Sequence, residues 1–257
     1  MSQAPRWNAA ARVCFRHLLV SLGVAGLAAA LVFGLWYPAP YDQMLGGRDL
    51  FLLLLTVDVV CGPLLTLIVF NPAKPRGELW RDIGVIVALQ LAALGYGLHT
   101  VTQARPVHLA FEFDMFRVVR AVDFDVSHLE AAPLELRPAP WRGPGLIGVR
   151  IVRPGDPDYL RSLEKSLSGL PAAFRPDHWL PYDAVRSTIQ ARAKAIGTLR
   201  AKHPEQATLI DQTLARTGYA ENQLGYLPMM AERGGDWVVL LRLDDTTPVG
   251  YLPLDGW

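Results

Sequence analysis

Three apolar stretches, each close to the length of a membrane span, occupy the first 105 residues and set the class of the chain. Leu18 to Tyr37 contains no charge. At ~1.5 Å per residue such a run reaches about 30 Å, the thickness of a bilayer's hydrocarbon core. Leu50 to Phe70 is interrupted by Asp58 alone, and Ile83 to Gln103 carries no charge. Core helices of globular proteins are seldom this long and this free of charge, so the runs predict transmembrane helices at about 17–37, 50–70 and 83–103. The charge distribution agrees: residues 1–103 hold 12 of the 49 Asp, Glu, Lys and Arg residues, and residues 104–257 hold 37. The predicted architecture is a membrane protein with three transmembrane α-helices (membrane domain 1–105) followed by an α+β soluble domain (106–257).

The first run has a basic flank and the triplet Ala28-Ala29-Ala30, as a cleaved signal peptide would. It continues through Phe33, Leu35 and Trp36, past the ~7–15 residues of a signal's apolar region, so a retained helix is expected. Trp36, Tyr37 and Tyr41 suit an aromatic belt at the helix's far end. Arg6, Arg12 and Arg16 precede the first run, and Lys74, Arg76 and Arg81 lie between the second and third. Residues 38–49 carry only Arg48. The positive-inside rule then makes the N-terminus cytoplasmic and, after three spans, the C-terminal domain periplasmic in a bacterium.

The C-terminal domain opens with alternating, Val- and Phe-rich residues 107–122, which read as two strands. The proline-rich segment 131–145 reads as a loop, and Leu146–Val152 as a further strand. A helix is expected at about 157–168 with Asp156 or Asp158 as its cap, and another from Pro181 to about Lys202. That second helix carries Arg186, Arg192, Lys194, Arg200 and Lys202, expected as a solvated face because the domain sums to 18 basic and 19 acidic groups. A third helix runs from Pro204 to near Gly218, and Trp237–Leu243 with Val249–Leu254 form a closing hairpin. Gly234-Gly235 reads as the turn before it.

Signals of catalysis are absent. The six histidines show no i, i+4 pair, and there is no Gly-x-Ser-x-Gly elbow, phosphate-cradling loop or Cys-x-x-Cys. The two cysteines, Cys14 and Cys61, both lie in the membrane domain. Asp123 and Asp125 would be chance neighbours among many acids. A net charge of +1 gives no field for nucleic acid. The expectation is a protein without catalytic residues, metal or cofactor.

Asp58 stands out. A carboxylate near mid-bilayer costs roughly 2.5–3.5 kcal/mol on insertion scales and marks a functional site by default. Depth along antiparallel helices suggests Tyr96 as its neighbour, with Gln90 deeper. Gly62-Pro63 follows, and Pro63 removes a helical hydrogen bond, which favours a kink and a groove. Asp58, Gly62, Pro63, Gln90 and Tyr96 form the candidate surface for a partner helix, beside the purely structural alternative of a packed, hydrogen-bonded Asp58. Ala88-x-x-x-Ala92 and Ala93-x-x-x-Gly97 offer close helix approach, chiefly for packing within the bundle.

Ordered motifs carry a resemblance. Tyr37-Pro38-Ala39-Pro40-Tyr41 is followed by Gly46-Gly47-Arg48-Asp49-Leu50-Phe51 and by Val57-Asp58-Val59-Val60-Cys61-Gly62-Pro63. Then come Gln90-Leu91-Ala92-Ala93-Leu94-Gly95-Tyr96-Gly97-Leu98, Arg105-Pro106-Val107 and Phe111-Glu112-Phe113-Asp114-Met115-Phe116. Over about residues 12–125 the chain resembles the type IV pilin accessory proteins of the TfpX/TfpZ type. The resemblance implies a non-enzymatic accessory or chaperone-like protein of the bacterial inner membrane. Its expected partners are a type IV pilin, the lipid bilayer and the pilus assembly machinery. A membrane-tethered periplasmic enzyme that modifies pilins is the alternative, and a structural subunit of the pilus machine a third.

Overall fold

The computed structural model describes residues 4–124, 126–231 and 236–257. The chain divides into two compact units, Met1–Arg105 and Pro106–Trp257.

The first unit contains three helices long and apolar enough to cross a membrane. Helix α1 (Ala4–Leu31) passes into a π-helical turn, Val32–Trp36, closed by the Tyr37 N–H on the Val32 carbonyl at 2.8 Å. A short α2 (Tyr41–Met44) leads to α3 (Gly47–Val69), and α4 (Arg76–Ala104) follows. Helices α1 and α4 begin well before the apolar runs and take in Arg6, Arg12, Arg76 and Arg81, because lysine and arginine are good helix formers once a span is nucleated. Helix α3 lies between the other two. Its inward stripe, Phe51, Leu54, Leu55, Asp58, Gly62 and Thr66, recurs every three or four residues.

The aromatic-belt expectation for Trp36, Tyr37 and Tyr41 fails, because all three are buried. Tyr37 is 1% exposed, donates its hydroxyl to the Val101 carbonyl at 3.0 Å, and packs with Trp36, Phe51 and Val101. The chain turns back over this end of the bundle. Gly46, at φ +64°, starts α3 in a conformation that costs glycine little. Gly47 leaves the room that the Tyr37 ring takes, since a Cβ there would sit 2.8 Å from the ring. The exposed tryptophans of this unit, Trp7 and Trp80, lie near the N-terminal ends of α1 and α4. Of the small-residue pairs, Gly97 packs against Leu54, while Ala88, Ala92 and Ala93 are exposed.

The second unit is a mixed sheet flanked by short helices. Strands β1 (Pro106–Glu112) and β2 (Met115–Arg120) form an antiparallel hairpin, and β3 (Gly145–Val149) lies parallel to β1. The strands β4 (Trp179–Pro181), β6 (Leu224–Met230), β7 (Asp236–Arg242) and β8 (Pro248–Leu252) complete the order β4-β3-β1-β2-β6-β7-β8. The two-residue β5 (Lys194–Ala195) pairs with β6 alone. Although β1 alternates in sequence, all seven of its residues are buried. His108 stacks edge-on against Trp179, and Glu112 accepts from Arg117 Nε at 2.9 Å and from the Ala173 N–H at 3.3 Å.

Helix α5 (Tyr159–Leu167) forms where expected with Asp158 at its N-cap position, but neither aspartate's side chain makes a capping bond. Asp158 accepts Arg150 Nη2 at 2.8 Å and Asp156 accepts the Arg153 N–H at 2.8 Å, since an ion pair and a turn bond compete for the same oxygens. The single helix from Pro181 to Lys202 is not formed. Pro181 ends β4, and α6 (Arg186–Arg192) is separated from α7 (Ile196–Lys202) by β5. The break follows from pairing with β6: Gly225 has no side chain, so the Ala193 Cβ and Lys194 carbonyl come close to it. The basic residues are correspondingly divided. Arg200 pairs with Asp211 and Glu221, Lys202 with Asp255, Arg186 with Asp183, and Lys194 donates to the Gly256 carbonyl. Helix α8 (Ala207–Thr217) ends at Gly218, at φ +73°. The hairpin β7–β8 forms as expected; Asp125 and Gly234-Gly235 lie outside the described residues.

Candidate functional site

The five residues singled out in the long apolar helices divide between two faces. Asp58, Gly62, Pro63 and Gln90 belong to one. Gln90 on α4 donates its Nε2 to the Asp58 main-chain carbonyl at 2.8 Å. It reaches α3 over Gly62, where a Cβ would lie 2.0 Å from Nε2, so the glycine provides the space that the amide fills. Pro63 is buried directly after it and has no N–H to offer the Val59 carbonyl one turn back.

Of these, Asp58 and Gln90 floor a groove about 100 Å³ in volume between α1, α3 and α4. Val20, Val24, Leu55, Val87, Leu91 and Leu94 give it apolar walls. The Asp58 side chain lines it, half-buried, and makes no hydrogen bond or ion pair among the described residues. Gln90 Oε1 is buried with no partner. The groove therefore presents two unused acceptors in an apolar channel, where an unpaired polar group is costly.

Tyr96 does not join them. It is 75% exposed and lines a separate groove with Leu53, Val57 and Thr100. The depth argument matched Tyr96 to Asp58 along the axis but not around it, and the 3.6-residue period turns Tyr96 away from the side that carries Gln90. His17 was missed as a site residue. Its Nδ1 lies 2.6 Å from Thr66 Oγ1, tying α1 to α3 beside the groove, and it lines the groove with Ser21. The same comparison of helix depths, applied to α1 and α3, would have found it.

In the second unit no cluster of three or more His, Cys, Asp or Glu suited to a metal occurs among the described residues. The strongly perturbed neutral groups are held in core contacts. Burial pushes His108 down to about 4, and burial pushes Tyr182 up to about 12 while its hydroxyl donates to the Thr246 carbonyl at 2.6 Å.

Comparison with known proteins places the chain. The family profile described as fimbrial assembly protein FimB matches residues 5–46. The fimbrial assembly protein of serogroup I from Dichelobacter nodosus is 34% identical over 247 residues, covering 95% of this chain and 96% of that protein. The chain belongs to the fimbrial assembly protein family. The serogroup E1 protein of the same organism is 33% identical over 95% of this chain, and that of serogroups C1 and C2 is 42% identical over 49% of it. No solved structure matches the chain. A fimbrial assembly role agrees with the resemblance carried by the ordered motifs. The segment matched by the family profile spans α1, the π-helical turn and α2, and it includes His17, Tyr37 and Tyr41.

Proposed function

We propose that this fimbrial assembly protein is a non-enzymatic, chaperone-like accessory protein of the bacterial inner membrane that holds the apolar helix of a type IV pilin before assembly. The N-terminus is cytoplasmic and the mixed-sheet unit periplasmic, on the strength of the basic residues flanking α1 and α4. The observation that carries the reading is the groove, with the Asp58 carboxylate and Gln90 Oε1 left without partners inside apolar walls. A partner helix that contributes a donor would satisfy both acceptors and cover the walls at once, and packing of this kind drives association within lipid. A membrane bundle and an extramembrane unit on one chain let weak contacts with two parts of the same pilin act together.

Asp58→Asn and Asp58→Leu test this. Asn keeps size and hydrogen bonding but removes the charge; Leu removes both hydrogen bonding and charge. With abundance in the membrane equalised, capture of pilin per molecule is expected to persist in Asp58→Asn and to fall at least several-fold in Asp58→Leu. Normal capture and normal piliation in both variants would overturn the proposal.

A further inference from the structure

A cleft in the second unit lies outside the groove and its role. It has a volume of about 400 Å³ and is formed by the 3-10 turn Val126–Ala131, helix α5 and residues 170–177. His128, Lys165, Phe174, Arg175 and Asp177 line it. Arg175 is 5% exposed. Among the described residues its side chain makes one hydrogen bond, Nη2 to Ser162 Oγ at 2.6 Å, and its Nε is buried with no partner.

The carboxylates whose charge reaches Arg175 are Asp177, Glu112 and Asp158. None lies within ion-pair distance of it, and each has another neighbour. Glu112 holds Arg117 and the Ala173 N–H; Asp158 holds Arg150; Asp177, half exposed, faces His178 Nε2 at 3.6 Å. Arg150 adds a further positive charge nearby. Arg175 is thus a buried guanidinium with no counter-charge assigned to it. A guanidinium does not deprotonate in proteins, so its cost when buried is met by an anion or left unmet. Lys165, exposed on α5 at the same cleft, supplies a second cation from another direction.

We propose that this cleft is a phosphate-binding site, with Arg175 as the buried ligand and Lys165 as the outer one. A tetrahedral oxyanion has oxygens enough to meet a planar guanidinium on one side and a point-like ammonium on another at the same time. Phe174 and Leu170 give the cleft an apolar side, which admits either free phosphate or the head of a phospholipid.

The test uses the full-length chain in detergent micelles, with inorganic phosphate titrated against chloride at constant ionic strength. A saturable rise in Tm and a calorimetric Kd are expected. Lys165→Ala should weaken Kd about threefold or more without lowering the Tm measured in chloride, because Lys165 is exposed. Arg175→Gln should weaken it at least tenfold, and the Lys165 variant keeps the test decisive if Arg175→Gln fails to fold. Dihexanoyl phosphatidylglycerol in the same assay separates the sources: binding tenfold tighter than phosphate assigns a lipid headgroup, and weaker binding assigns free phosphate. No saturable response to either compound, or a response unchanged in Lys165→Ala, would overturn the proposal.

Discussion

Gly62 is the residue on which the contact between α3 and α4 at Asp58 turns. Its missing side chain is the space through which Gln90 reaches the Asp58 carbonyl, at 2.8 Å. Gly62→Val is therefore expected to displace the amide and to lower stability by about 1–3 kcal/mol, the usual cost of overpacking. Gln90→Ala in the same chain should recover part of that loss, because the clash partner is gone. Melting of the single and double variants in detergent reads the coupling directly, and additive losses would show that the two residues do not share this space. The oddity of Asp58 was legible from sequence, since a lone acid in an apolar run needs only counting. Gln90 was named in the same candidate surface, but Tyr96 was preferred as the neighbour, because depth along a helix says nothing of rotation about it. Tyr37 was misjudged for a related reason: an aromatic at a span's end suits the lipid interface and a folded-back cap equally well, and only the turn through Gly46 decides between them.

At the scale of elements, β1 shows how sequence alternation can mislead. It has β2 and β3 on its two edges and packing on both faces, so its polar positions are buried with its apolar ones. His108 is the consequence. Burial against Trp179 holds its folded pKa at about 4, below the usual value of about 6.5. Above pH ~6.5 the ring is neutral in both folded and unfolded chains, and its contribution is fully present. As pH falls from there toward 4 the unfolded chain takes up a proton that the folded core refuses. Stability should drop across that window by up to about 3 kcal/mol, from a shift of ~2.5 pH units at 1.36 kcal/mol each. Denaturant midpoints at pH 7 and pH 4.5 measure this, and a His108→Phe variant that folds should show a flatter profile; an equal slope would exclude His108 as the cause.

Strand β6 went unread altogether. Leu224–Met230 is short and apolar, but Gly225 and Pro228 break the pattern, and proline argues against a central strand. The structure accommodates both. On the edge away from β7, β6 pairs with β5 at Tyr226 and Gly225 and with β2 at Met229 and Met230, so Pro228 falls in the gap where no partner strand needs its missing N–H. Such a gap depends on residues thirty to a hundred positions away and leaves no local trace. The closing hairpin, by contrast, depends on neighbours and was read correctly.

For the whole molecule, the three long apolar helices were the most legible part, because a bilayer's thickness calls for a length that few other structures imitate. Their expected orientation rests on basic flanks. A reporter active only in the periplasm should work when fused after Trp257 and stay silent when inserted between Phe70 and Arg81; the reverse pattern would move the mixed-sheet unit to the cytoplasm. The central claim is narrower: a pilin helix lies in the groove floored by Asp58 and Gln90. The most direct measurement is in-cell crosslinking from a photoreactive residue placed at Leu91, which lines the groove, compared with one at Leu53, which faces away from it. The account predicts a pilin adduct from position 91, little from position 53, and loss of the adduct when Asp58→Leu is added. Equal adducts from both positions, or an adduct at 91 unaffected by Asp58→Leu, would contradict it.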